Sequence, residues 1–263
     1  VAIIGDLHGD IRALCKILDC IEYETFLSNP YNKVIFLGDY GDRGSDSIGV
    51  LYAVCYLKQQ YPNSVILMRG NHEAPTEFPF ASHDLPLKIV ERFGQDSGDI
   101  ICKKILKLFQ LLPLATIIQD NLFLVHGGLP TETRKGDYKR SIAAAADNCK
   151  NSRVLEELLW NDPRLHIKNG ESWEKSRRKF GRHFGLEISS KWLLISGTRV
   201  IVRSHEPCQA FRIDHEGMVL TVFSCREAYP QFEAGYVFIT REQLESVYSA
   251  NDLAHYVKVI NSY

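Results

Sequence analysis

Apolar residues gather in short unbroken runs along the first third of the chain, and each run empties into a polar turn. Residues 1–4 (VAII), 34–37 (VIFL) and 65–68 (VILM) are such runs, with Gly5, Gly38 and Gly70 at or just beyond their ends. An apolar run of this length closed by glycine predicts a buried strand opening into a tight turn. Between the runs the spacing becomes helical. Residues 11–21 place Ile11, Leu14, Cys15, Leu18 and Ile21 on one side, with Asp10 as N-cap. Residues 46–61 carry Val50, Leu51, Val54 and Leu57 as a stripe, and Pro62 stops them. The repeated order of strand, polar turn and helix predicts a layered α/β domain.

Further on, Pro75, Pro79 and Pro86 predict loop, with helices over 87–93 and 100–112, the latter closed by Pro113. A strand over 122–125 delivers His126, and helical stretches are expected at 143–146, 154–159 and 187–195. Strands are expected at 200–203, 209–213, 218–223 and 236–239, with Asp214-His215-Glu216-Gly217 as a hairpin turn. These late, antiparallel-looking strands predict a second sheet packed on the first. The tail to Tyr263 alternates only weakly.

At 263 residues, 45% hydrophobic and 24% charged, the chain has a globular balance, and a single domain over 1–263 is expected. A formal net charge of -1 offers no global attraction to nucleic acid or to an anionic membrane, so any affinity for phosphate is local. No apolar run approaches a membrane span, and none reads as a signal peptide. Seven scattered cysteines without a CxxC pair predict buried free thiols in an intracellular setting, cytoplasmic or nuclear. The chain starts inside a strand without an initiator Met, as expected of a piece of a longer protein.

Five polar turns carry the chemistry: Asp6 with His8; Asp39 with Asp42 and Arg43; Asn71 with His72; His126; and His205. Each sits at or just past the C-terminal end of an expected strand, the edge where ligands collect in α/β sheets. One isolated histidine there is usually a satisfied core residue; five such turns call for another account. Carboxylate, imidazole and amide oxygen suit hard or borderline divalent cations. Two aspartates, three histidines and one asparagine exceed the needs of one catalytic zinc and suit two ions sharing a carboxylate. Such a pair activates water and clamps the oxygens of an in-line phosphoryl transfer. The one locally basic reach, with Arg164, Lys168, Lys175, Arg177, Arg178, Lys179, Arg182 and His183, reads mostly as a solvated face.

The strings GDLHG (5–9), GDYGDRG (38–44), RGNHE (69–73), HGG (126–128), LLWNDP (158–163) and RSHE (203–206) stand in the order found in one family. They resemble the PPP family of metal-dependent protein serine/threonine phosphatases, the calcineurin and protein phosphatase-1 type, from residue 1 to about residue 239. The first three mark the wider calcineurin-like metallophosphatases, and the last two narrow the likeness to protein phosphatases. The resemblance implies an α/β fold of the calcineurin-like metallophosphatase kind, a central two-sheet β-sandwich flanked by helices.

It also implies roles. Asp6 and His8 would hold one metal, Asp39 would bridge both, and Asn71, His126 and His205 would complete the second, with His205 the least settled between the ions. His72 would protonate the leaving seryl or threonyl oxygen and Asp42 would orient and charge it. Arg43 and Arg178 would hold the phosphate, Phe184-Gly185 fixing the register that selects Arg178 over Arg177 and Arg182. The implied cofactors are two metal ions, manganese first, with iron or zinc suiting the same donors. The implied partners are a phosphoprotein substrate and regulatory subunits, without nucleic acid or membrane. A carboxylate beside His72 is expected to keep it protonated near neutral pH. Asp162 is expected to orient a clamp arginine, Trp160 to pack, and Glu73 to hold its turn; His83, His166, His183, His215 and His255 are read as non-ligands.

The chain departs from the family pattern at Lys179, where glycine is usual, and at residues 223–229 (FSCREAY), where Tyr229 either replaces a site tyrosine or points elsewhere. The same metal core supports an alternative, hydrolysis of a nucleotide phosphoanhydride such as a diadenosine polyphosphate. A binding-only scaffold is disfavoured, because such scaffolds lose ligands or the acid and this chain keeps them.

Overall fold

Short strands and amphipathic helices alternate as the apolar pattern requires. The computed structural model describes residues 1–132, 137–147, 153–167 and 171–260; Cys149 and Lys168 lie outside them. The first half runs β1 (Ala2–Ile4), α1 (Ile11–Cys20), α2 (Tyr23–Ser28), β2 (Val34–Phe36), α3 (Ser47–Gln60), β3 (Val65–Leu67), α4 (Leu85–Phe93), α5 (Gln95–Leu111), β4 (Ala115–Ile118) and β5 (Leu122–Val125). Then come α6 (Tyr138–Asp147), α7 (Arg153–Trp160), β6 (Asp162–Pro163), β7 (Trp173–Lys175), β8 (Arg182–Phe184), α8 (Leu186–Ser196) and β9 (Val200–Arg203). The chain closes with β10 (Phe211–Asp214), β11 (Val219–Val222), β12 (Ala234–Phe238), α9 (Arg241–Glu245), α10 (Ala250–Ala254) and β13 (Val257–Ile260).

One five-stranded sheet has the order β13-β12-β1-β2-β3 and a second β10-β11-β9-β5-β4, beside a small sheet β6-β8-β7. In the first, β1, β2 and β3 are parallel, β12 pairs antiparallel to β1 and β13 antiparallel to β12, so the late strand expected over 236–239 joins the first sheet and not the second. In the second, β9 runs parallel to both β5 and β11. The period of two along each strand then divides the core. Ile3, Ile35, Leu37 and Met68 meet Leu122, Leu124, Val200, Val202, Leu220 and Val222 between the two sheets. The alternate residues Ala2, Ile4, Val34, Phe36, Val65 and Leu67 face α1, α3 and α5. On the far side of the second sheet, Phe123, Val125 and Ile201 pack with α7 and α8. The two-sheet sandwich with helices on its outer faces is therefore the observed fold, and burial on both faces is why its central strands read as continuous apolar runs.

Several local expectations need correction. In α1 the buried residues are Ala13, Leu14, Ile17 and Leu18, so the apolar face is turned by about one position and Cys15 is exposed. Six described cysteines are free, but only Cys208 and Cys225 are buried. The basic reach is partly strand: β7 and β8 pair antiparallel, and the Arg182 guanidinium lies 3.4 Å over the Trp173 ring. The weakly patterned tail folds into two short helices with Thr240 and Ser249 capping boxes and an edge strand paired to β12.

Candidate metal centre and active site

The strand ends converge because two glycines let two loops touch. Gly38 has φ 108°, and a Cβ there would stand 2.3 Å from the Gly70 backbone nitrogen; one on Gly70 would stand 2.3 Å from Asp39 Oδ1. The buried Glu73 carboxylate ties both loops by accepting the amides of Asp39 (2.8 Å), Tyr40 (3.0 Å) and Gly70 (2.9 Å). Glu73 thus holds its turn, as expected from the RGNHE string. Burial, then the Asp39 charge, pushes its pKa well above the ordinary carboxylate value, against those three amides. His8, Asp39, Asp42, Arg43 and His205 all have positive φ, between 43° and 72°. Left-handed backbone at five non-glycine residues is the strain expected where a site over-determines its side chains. Gly38→Ala is expected to destabilise the fold by about 3 kcal/mol, measured as the shift in urea midpoint; a shift under about 0.5 kcal/mol would show that the loops can separate freely.

Six donor residues meet here. His8 Nδ1 donates to Gly41 O (3.1 Å) and His126 Nδ1 to Leu37 O (3.0 Å), which leaves each Nε2 with a lone pair aimed inward. His8 Nε2 then lies 3.5 Å from Asp6 Oδ2 and 3.6 Å from Asp39 Oδ2. His126 Nε2 lies 3.4 Å from Asp39 Oδ1 and 3.0 Å from Asn71 Oδ1, and His205 Nδ1 is 2.9 Å from that same Asn71 oxygen. Asp6 Oδ2 is buried without a hydrogen-bond partner. The Nε2 lone pairs of His8 and His126, facing carboxylate and amide oxygens beside the orphaned Asp6 oxygen, are what a cation reconciles. Two groups have their donor atoms within 4.8 Å of one another, His8-Asp39-His72 and Asp39-His126-His205, and Asp39 belongs to both. The donor set fits two ions around a common carboxylate. Burial alone would raise the Asp6 carboxyl, but contact with His8, His126 and Ser204 outweighs it and holds Asp6 below the carboxylate range.

His72 and Asp42 form a buried pair, Nδ1 to Oδ2 at 2.7 Å. Asp42 Oδ1 accepts the Asp84 and Leu85 amides at the start of α4 (2.9 and 2.8 Å), an anion at a helix N-terminus. Burial opposes the Asp42 charge, yet His72 and His83 hold its pKa below the ordinary range. The expectation that a carboxylate keeps His72 charged at neutral pH is corrected. Burial pushes the His72 pKa down, against Asp39 and Asp42, and His8 and Arg43 add to the lowering.

The two arginines flank the metal donors across a cavity of about 570 Å³ whose lining includes Asp39, Arg43, Asn71, Arg178, His205 and Tyr229. Arg43 Nη1 is 3.0 Å from His8 Nε2 and also donates to the Tyr229 hydroxyl, so Tyr229 points into the site. Burial pushes the Tyr229 phenol up to about 12, with Arg43 opposing, so it stays protonated. Arg178 Nη1 reaches His205 Nε2 at 2.5 Å, and its Nε lies 3.8 Å from the buried Asp162 carboxylate, an ion-pair separation too long for a hydrogen bond; the arginine that Asp162 hydrogen-bonds is Arg203. Burial, with Arg178 next, drives the His205 pKa well down, leaving a neutral ring. Of the rivals, Arg182 is engaged by Thr131 and by Glu157 at 3.0 Å, and neither it nor Arg177 lines the cavity. Arg203 and Glu206 of the RSHE string build a buried charge network behind the site, Arg203 reaching Asp162 at 2.8 Å and Glu206 reaching Arg164 at 2.6 Å. Trp160 packs against Phe80, Phe180 and His205 at the cavity wall. Sequence reasoning missed two contacts with this machinery: His83, whose Nδ1 is 3.0 Å from Asp42 Oδ2, and Phe80, which packs on the His72 ring.

Residues 1–209 match the calcineurin-like phosphoesterase family. The chain is 32% identical to a probable serine/threonine-protein phosphatase of Encephalitozoon cuniculi over 86% of its own length and 47% of the relative's. It is 31% identical to serine/threonine-protein phosphatase T of Schizosaccharomyces pombe, covering 85% of this chain and 45% of that one. The chain therefore spans about half the length of these curated relatives. In fold it is similar to a protein serine/threonine phosphatase from Saccharomyces cerevisiae, with a TM-score of 0.73 at 24% identity over 98% of this chain and 78% of that one. The chain belongs to the calcineurin-like phosphoesterases, on their PPP protein-phosphatase branch.

Proposed function

We propose that this chain hydrolyses phosphoserine and phosphothreonine monoesters in proteins, as a single catalytic domain over residues 1–263. The observation that carries this reading is one buried carboxylate, Asp39, shared by two groups of donor atoms and flanked by two arginines. Asp6 and His8 would hold one ion, Asn71, His126 and His205 the other, and Asp39 both. Manganese is the proposed metal, with iron or zinc as substitutes of the same donor preference. When bound, such ions supply Lewis acidity and a water activated for in-line attack at phosphorus.

The chain's own residues then do the rest. Arg43 and Arg178 hold phosphate oxygens through charge-assisted, paired hydrogen bonds. His72 gives a proton from Nε2 to the departing seryl or threonyl oxygen, while Asp42 fixes the ring through Nδ1. The dianionic phosphate, arriving beside His72, favours its protonation against the effect of burial. No side-chain nucleophile is required. The proposed partners are a phosphoprotein substrate and regulatory subunits, in an intracellular compartment.

A panel of phosphoserine and phosphothreonine peptides with Mn²⁺ tests the reading. Turnover is expected to fall by at least about 10³-fold on chelation and to return on adding manganese. Faster cleavage of a diadenosine polyphosphate than of every phosphopeptide would replace this reading with the nucleotide alternative.

A further inference from the structure

We infer that His83 is a positioning residue for proton donation: it shares Oδ2 of Asp42 with His72 and, by fixing that carboxylate, fixes the ring that protonates the leaving oxygen. The inference rests on the phosphomonoester chemistry proposed above. An ionised carboxylate offers about four acceptor positions. At Asp42 all four are taken: Asp84 N and Leu85 N on Oδ1, His72 Nδ1 (2.7 Å) and His83 Nδ1 (3.0 Å) on Oδ2. The two amides anchor one end, and the two imidazoles set the plane of the other.

Asp42 has no proton to give, so each imidazole must present Nδ1–H to it. Packing couples the same two rings. Phe80 stands with its centroid 4.2 Å from that of His72 and 5.5 Å from that of His83. The surroundings of His83 are otherwise unsuited to an imidazole. It borders an apolar cavity of about 220 Å³ whose lining includes Leu85, Ile89, Ile105 and Phe109. A polar ring on an apolar wall is best explained by the hydrogen bond it makes. The competing explanation is that His83 only steadies the start of α4. Asp42 already caps that helix, and the Asp84 side chain makes no capping bond.

Leaving-group chemistry separates the two. An alkoxide must be protonated as it departs, whereas p-nitrophenolate leaves without help. The manganese-loaded wild type, His83→Ala and His83→Asn are compared on a phosphoserine peptide, β-glycerophosphate and p-nitrophenyl phosphate. His83→Ala is expected to lose about tenfold in kcat on the two alkyl esters and no more than about twofold on the aryl ester, with KM within about twofold. His83→Asn, whose side-chain amide can replace the Nδ1–H donor, is expected to regain most of the loss. Equal losses on alkyl and aryl esters, or an asparagine variant no better than alanine, would overturn the inference. Turnover of β-glycerophosphate without the peptide would overturn the protein-substrate reading alone, and His83 would be judged on the small esters. No turnover of any ester would overturn both.

Discussion

Replacing Asp39 with alanine is expected to leave the protein without either bound cation and to lower kcat/KM by about 10³-fold or more. Asp39 is the residue the two donor groups have in common: Oδ2 lies 3.6 Å from His8 Nε2 and Oδ1 lies 3.4 Å from His126 Nε2. If the ions sat in two independent sites, one carboxylate would account for one ion, and a variant would keep the other. A shared ligand predicts loss of the pair. The measurement is metal content after dialysis against buffered Mn²⁺, alongside kcat/KM for a phosphopeptide. Misfolding is the rival cause, because Asp39 Oδ1 also accepts the His72 amide at 2.9 Å. Asp39→Asn removes the charge and keeps that acceptor, so it is expected to hold its melting temperature in chelator while still losing both ions. Retention of two ions by Asp39→Asn, with wild-type activity, would remove Asp39 from the bridging position.

The same loops explain how far the sequence could be read. The central strands were legible because they are buried on both faces, so Val34, Ile35 and Phe36 are all apolar whichever sheet surface they face. The site was legible because its donors lie directly after such strands, each announced by glycine or by the strand's end. What stayed hidden lacks those signals. Strand β13 sits at a sheet edge with Lys258 and Val259 exposed, so no alternation marks it. Strands β7 and β8 are three residues each and mix the buried Phe184 with the polar Lys175, Arg182 and His183, and Arg182 ties them through a cation-π contact with Trp173 and an ion pair with Glu157, so no apolar run announces them. His83 stands in a proline-rich loop with no period, and its partner Asp42 is 41 residues away. Tyr229 met Arg43 across 186 residues, a contact that local spacing cannot anticipate.

Replacing His72 with alanine is expected to lower kcat on a phosphoserine peptide by about 10²–10⁴-fold and on p-nitrophenyl phosphate by far less, with both ions retained. Metal content is the decisive companion measurement, because His72 groups with His8 and Asp39 as a potential ligand. Loss of an ion with equal damage to both esters would make His72 a ligand and leave the acid unassigned. Its partner gives the complementary result. Four N–H donors converge on Asp42, from His72, His83, Asp84 and Leu85. An asparagine there has one carbonyl and one amide group, so either its NH₂ faces the two helix amides or it faces the two imidazoles. The first orientation opposes donors at the start of α4 and destabilises it by about 1–3 kcal/mol. The second makes His72 Nδ1 an acceptor, so the ring is held as the neutral Nε2–H tautomer, a far weaker acid toward the leaving oxygen than the imidazolium that Asp42 supports. Asp42→Asn is therefore expected to lose activity on alkyl esters as His72→Ala does and, unlike it, to lose stability as well. A variant with unchanged stability and unchanged alkyl-to-aryl ratio would mean that Asp42 neither caps α4 nor governs His72.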